Sequence, residues 1–136
     1  MMNRWLVLFA FGALLHSGVA VAETARRFAL VVGENQPATD ALPTLRHADD
    51  DALRHERLLR AFGAETELLV VLDAQTQRAV PNAARRAKAP SVDSIDAAMT
   101  RLNARMAAAK AAGAEVDFFF VYTGHAELGP NREGRL

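Results

Sequence analysis

Val116-Asp117-Phe118-Phe119-Phe120-Val121-Tyr122-Thr123-Gly124-His125-Ala126-Glu127 is the stretch that decides how this chain folds. Its run of bulky apolar and aromatic side chains is too short for a helix of its own. It predicts a strand buried on both faces, as in a parallel sheet. The run stops at Thr123-Gly124-His125, and open parallel α/β sheets place their working residues just past the carboxyl ends of their strands. His125 is therefore expected at the mouth of a site. The plainer alternative is a loop histidine that happens to follow a strand.

Upstream, the same grammar repeats. Arg27-Phe28-Ala29-Leu30-Val31-Val32 is an apolar run with Gly33 behind it and predicts a first strand. Glu34 to Thr44 mixes Asn35, Pro37, Thr39, Asp40 and Pro43, all turn formers, and predicts an exposed loop leaving that strand. Neither a GxGxxG nor a GxxxxGK[ST] spacing is present, which argues against a nucleotide site there. Asp49 or Asp50 is expected to cap a helix reaching Phe62, with Gly63 as its stop. Ala48, Ala52, His55, Leu59 and Phe62 fall at spacings of one helical face, widened by Leu53 and Leu58, and charges fill the other side. On that face His55 is expected to be partly buried and hydrogen-bonded rather than a ligand, because no metal-spaced partner accompanies it.

The triplet Asp49-Asp50-Asp51 invites a calcium reading. The alternating Asp/Asn, Gly and terminal Glu of an EF-hand loop are missing, so helix capping and dipole compensation are the simpler account, and no metal or other cofactor is assigned. Glu67 to Leu72 predicts a second strand. From Asp73 to Pro90 the chain is polar, carries Arg78, Arg85, Arg86 and Lys88, and is broken by Pro81 and Pro90. A surface excursion with a short helix over Gln75 to Arg86 is expected, and its basic run is either a solvated face or a proteolytic processing site. Ser91 or Asp93 opens a second long helix ending at Gly113, with Ile95, Met99, Leu102 and Met106 as its core stripe. Strand, helix, strand, helix, strand in this order predicts an α/β protein with a parallel sheet flanked by helices.

At 136 residues, 51% apolar and 24% charged, the chain fits one ordinary globular domain. Residues 1 to 22 are set apart from it. Arg4 gives a positive start, Trp5 to Leu15 an apolar core, and Val19-Ala20-Val21-Ala22 the small residues of a cleavage site before Glu23. An exported, periplasmic or secreted protein is expected, cleaved near Ala22. Eleven apolar residues fall well short of the roughly 20 that span a bilayer, so no stable membrane anchor is expected. Arg4 is the only charged residue in that segment, which leaves the remainder near neutrality and gives no electrostatic reason for a nucleic-acid partner. Cysteine is absent, so packing rather than disulfides must hold the fold, and no cysteine nucleophile lies within these residues.

Three pieces of the sequence together resemble the caspase-like family of cysteine peptidases, which includes caspases, metacaspases and bacterial relatives. Arg27 to Gly33 resembles the family's first strand. Leu45-Arg46-His47-Ala48-Asp49-Asp50-Asp51-Ala52 resembles the opening of its first helix, with an Asp-Ala pair. Phe120-Val121-Tyr122-Thr123-Gly124-His125 resembles the aromatic strand and Tyr-Ser-Gly-His turn that carry the catalytic histidine.

The resemblance covers Arg27 to the end of the chain. It implies a three-layer, Rossmann-like sheet in which strand one lies between strands two and three, order 2-1-3 in this part. His125 would be the general base of a cysteine–histidine dyad cleaving peptide or protein substrates. Gly124 would support the turn, and the N–H of Ala126, where the family usually has glycine, would serve the oxyanion hole. Arg46 and Asp51 are candidate substrate-pocket residues with opposite implications, Arg46 for an acidic and Asp51 for a basic side chain at the cleavage point. In caspases the nucleophile lies roughly 50 residues beyond the histidine, and only eleven residues follow His125. Residues 23–136 are therefore expected to be the amino-terminal part of such a domain, missing its carboxy-terminal half and inactive alone, with a non-catalytic binding or scaffold module as the alternative. The turn-rich segment Glu127 to Leu136 is expected to lead into the next piece of sheet.

Overall fold

A computed structural model describes residues 25–37, 39, 42–128 and 134–135, the last two and 127–128 as backbone alone. The segment read as a signal peptide lies outside the described residues. Three parallel strands, β1 (Arg26–Gly33), β2 (Glu65–Val70) and β3 (Val116–Thr123), form a sheet of order β2-β1-β3. The register sets Gly33 beside both Val70 and Thr123, so all three chains leave the sheet along one edge. This parallel α/β sheet, with strand one in the middle, is the arrangement expected. Backbone segments Glu127–Leu128 (β4) and Gly134–Arg135 (β5) pair antiparallel as a separate two-stranded ribbon rather than joining it.

Side-chain alternation along β1 explains the layers. Ala29 and Val31 pack on one face with Ala52 and Leu53 of α1 (Ala48–Ala61), while Phe28, Leu30 and Val32 pack on the other with Ala98, Leu102 and Ala109 of α4 (Val92–Ala111). Phe28 to Val32 are buried as a block, which makes β1 the centre of the core. Between β2 and α4 the excursion folds as two short helices, α2 (Ala74–Ala79) and α3 (Pro81–Arg86). Lys88 then bridges back onto Leu69, giving β2 a partial neighbour on its outer side.

Several expectations are corrected. β3 is not buried on both faces. Phe118, Phe119 and Phe120 remain 40%, 39% and 51% exposed, because β3 is the last strand of the sheet and the two long helices centre on β1. The buried face of α1 runs through Ala48, Asp49, Ala52, Leu53 and Glu56 with Leu59 half-buried, one position away from the expected stripe. His55 and Phe62 are consequently exposed, and the charged Glu56 is inside. Its carboxylate accepts from Thr66 Oγ1 at 3.0 Å and Arg86 Nη2 at 2.9 Å, tying α1 to β2 and α3. Neither Asp49 nor Asp50 is the α1 cap, a position held by His47 without a side-chain cap bond. β2 begins and ends two residues earlier than expected, at Glu65 and Val70. The second long helix does start at Ser91, in a reciprocal capping box with Ser94. Both long helices stop before a glycine at positive φ, Gly63 (81°) and Gly113 (85°), as the sequence predicts.

Candidate functional site

Because the three parallel strands end in register, the loops after Gly33, Val70 and Thr123 converge on the amino-terminal turn of α1. Thr123 makes the join explicit: its Oγ1 lies 2.7 Å from the Ala48 carbonyl and 3.3 Å from that of Val32, so one hydroxyl links β3, α1 and β1. A cleft of about 440 Å³ opens here, lined by Leu45, Arg46, His47, Ala48, Asp51, Tyr122, Thr123 and Gly124. Arg46, Asp51 and Gly124, singled out separately in the sequence, thus line one cavity. Arg46 and His47 also line a second groove, between α1 and α2.

His125 directly follows Gly124 but is not among the residues lining this cleft. Its ring turns toward the loop leaving β1, where Nε2 lies 2.8 Å from the Pro43 carbonyl. A carbonyl only accepts, so Nε2 donates, and in the neutral ring Nδ1 holds the lone pair. Nδ1 makes no hydrogen bond among the described residues. The ring is therefore held at Nε2, with the Nδ1 lone pair unengaged among the described residues.

The turn carrying it is built by Tyr122. The phenol donates to the His125 carbonyl at 2.9 Å, and burial, with the charge of Glu34 adding to it, pushes the phenol pKa above its ordinary value. It stays a neutral donor. Gly124 is required by proximity: a Cβ there would stand 2.6 Å from the Tyr122 hydroxyl and 3.1 Å from the Glu34 carbonyl. Ala126 is exposed, and no backbone acceptor takes its N–H among the described residues.

The acidic triplet does not act as a unit. Asp49 is fully buried, Asp50 accepts from Thr76 Oγ1 at 3.2 Å, and Asp51 is held by Arg54 at 2.7 Å. Their carboxylates go to three different partners, whereas a calcium site needs them to converge. No cluster suited to a metal ion occurs among the described residues. Arg46, unlike Asp51, has no carboxylate partner among the described residues. Pro43 and Asn35 escape sequence reasoning because they read only as turn formers. Asp49 carries a signal that reading it as a cap hides, since it lies four residues before Leu53 on the buried face.

No family profile, curated protein or solved structure matches the chain.

Proposed function

We propose that residues 23–136 are the amino-terminal part of an exported caspase-like cysteine peptidase, with His125 as general base and a cysteine supplied from outside these residues. The observation that carries this reading is the imidazole at the carboxyl end of β3, tethered through Nε2 to Pro43 and leaving Nδ1 to take a proton. A thiol is only partly ionised at neutral pH. Transfer of its proton to Nδ1 gives the thiolate that attacks the scissile carbonyl, and the imidazolium then returns that proton to the leaving amine as the C–N bond breaks. In this reading the N–H of Ala126, an exposed residue, would serve the oxyanion hole.

Of the two pocket candidates, Arg46 is the better recognition group. Asp51 is already engaged by Arg54, and an acidic substrate side chain meets a guanidinium with no competing carboxylate among the described residues. Peptides with Asp or with Arg at the cleavage point, offered to the whole gene product, test this. Cleavage of the Asp peptide, abolished by thiol alkylation, is expected; cleavage insensitive to alkylation removes the cysteine, and preference for Arg removes Arg46. Export is tested by sequencing the mature amino terminus, which should begin at Glu23; an intact Met1 counts against it.

A second reading is a caspase-like module that binds peptide without cutting it, favoured by the His125 ring, which bonds to Pro43 and does not line the cleft that holds Arg46 and Asp51. Saturable binding of the Asp peptide by the whole gene product, with no turnover, distinguishes that module from the enzyme.

A further inference from the structure

Asp49 is fully buried and takes no part in the chemistry proposed above. An ionised carboxylate in a core is costly unless hydrogen bonds replace its water, and the alternating face of α1 would be filled as well by an apolar side chain. What Asp49 does instead is join loops. Its Oδ1 accepts from Asn35 Nδ2 at 2.9 Å and its Oδ2 from the Asp73 N–H at 3.2 Å, so the exits of β1 and β2 meet on one carboxylate. Asn35 continues the chain of bonds: its Oδ1 accepts from the Ala48 N–H at 2.9 Å and its backbone carbonyl from the Leu45 N–H at 2.8 Å.

Two consequences follow from this geometry. The start of α1 is capped from a distance by Asn35, because His47 at the cap position contributes no side-chain bond. The 35–45 loop is also closed at both stems, by Asn35 against Asp49 and by Leu45 against Asn35. Pro43 lies two residues inside the second stem and presents the carbonyl that holds His125.

We propose that Asn35 and Asp49 form a positioning pair for His125: by fixing Asn35, whose main-chain carbonyl takes the Leu45 N–H, they hold the Pro43 carbonyl against the imidazole and so hold the ring in its Nε2–H tautomer. The inference rests on the reading of His125 as the base for its purpose alone. Its test reads the ring rather than turnover, so the two can fail separately.

Exchanging the two residues keeps every bond. With Asn35→Asp and Asp49→Asn together, the new carboxylate at position 35 accepts from the Ala48 N–H and from the amide at position 49, whose oxygen accepts from the Asp73 N–H. Asp49→Asn alone sets an amide NH₂ against a second donor, and Asn35→Ala removes the bridge. Long-range ¹H–¹⁵N correlation on the full chain reads which ring nitrogen of His125 is protonated, and circular dichroism reports the fold. Wild type and the double exchange are expected to show the Nε2–H form with its proton slow enough in solvent exchange to be observed, and Asn35→Ala to lose that proton signal while remaining folded. A folded Asn35→Ala variant with the wild-type ring signature overturns the proposal. So does a double exchange that fails to fold or that shows mixed tautomers. Should Asn35→Ala unfold, Asp49→Asn alone, which must lose its bond to Asn35 or to the Asp73 N–H, is read in the same way, and a wild-type ring signature in that folded variant overturns the proposal.

Discussion

At His125 one hydrogen bond fixes which ring nitrogen carries the proton, and the turn that presents the ring leaves no room for side-chain atoms at Gly124. An alanine there has to displace the Tyr122 phenol, whose hydroxyl lies 2.6 Å from the new Cβ, and crowds the Glu34 carbonyl at 3.1 Å. Gly124→Ala is expected to destabilise the fold by about 1–3 kcal/mol, the usual cost of forcing an atom into an occupied space. Tyr122→Phe, which loses only the bond to the His125 carbonyl, should cost about 1 kcal/mol. Urea unfolding of both variants checks the order, and a Gly124→Ala midpoint equal to wild type contradicts the packing argument. That His125 follows the end of β3 was legible from the apolar run before it. Its partner was not: Pro43 lies 82 residues away, and nothing about a proline in a loop announces that its carbonyl will be used.

Between elements, paired charges stitch the helices to the sheet. Arg101 of α4 grips Glu67 of β2 with two bonds, 2.8 and 3.1 Å, and Arg105 adds a second positive charge. The Arg101 hydrogen bond, reinforced by both guanidiniums, outweighs burial and holds the Glu67 carboxyl below the usual glutamate range. A depressed folded pKa means that the pair's stabilisation is complete above the unfolded glutamate pKa and is lost as pH falls through the folded one. Thermal midpoints from neutrality down to about pH 3 should therefore fall less steeply for Glu67→Gln than for wild type. Parallel curves contradict this. Elements were legible wherever period and punctuation agreed: the α4 stripe and the two glycine stops needed no structure. The face of α1 was misjudged because Glu56 was assigned to solvent by its charge. Its bonds to Thr66 and Arg86 come from segments 10 and 30 residues downstream, which helical spacing does not reveal.

Over the whole molecule the two edges of the sheet are unlike. β2 has the Lys88 bridge outside it, whereas β3 presents an outer edge with no strand beside it among the described residues and three half-exposed phenylalanines. Such an edge, without Lys or Pro in it, templates pairing with another chain. Light scattering on the purified 136-residue chain is expected to show mass rising with concentration, and Phe120→Lys to suppress that rise. A wild-type monomer at every concentration contradicts the expectation. The order of elements and their parallel pairing were legible because apolar runs alternate with helical patterns. The edge position of β3 followed from the order 2-1-3 that the resemblance implied, whereas its half-exposed faces were not apparent in its composition, since an aromatic run reads the same whether or not a neighbour covers it.

The proposed proton-accepting role of His125 is what separates the enzyme from its rivals. Peptide hydrolysis by the whole gene product, compared for wild type and His125→Ala at equal folded concentration, measures it directly. A loss of about 10²–10⁴-fold in kcat/KM is expected from removing a general base; an undiminished rate contradicts the account.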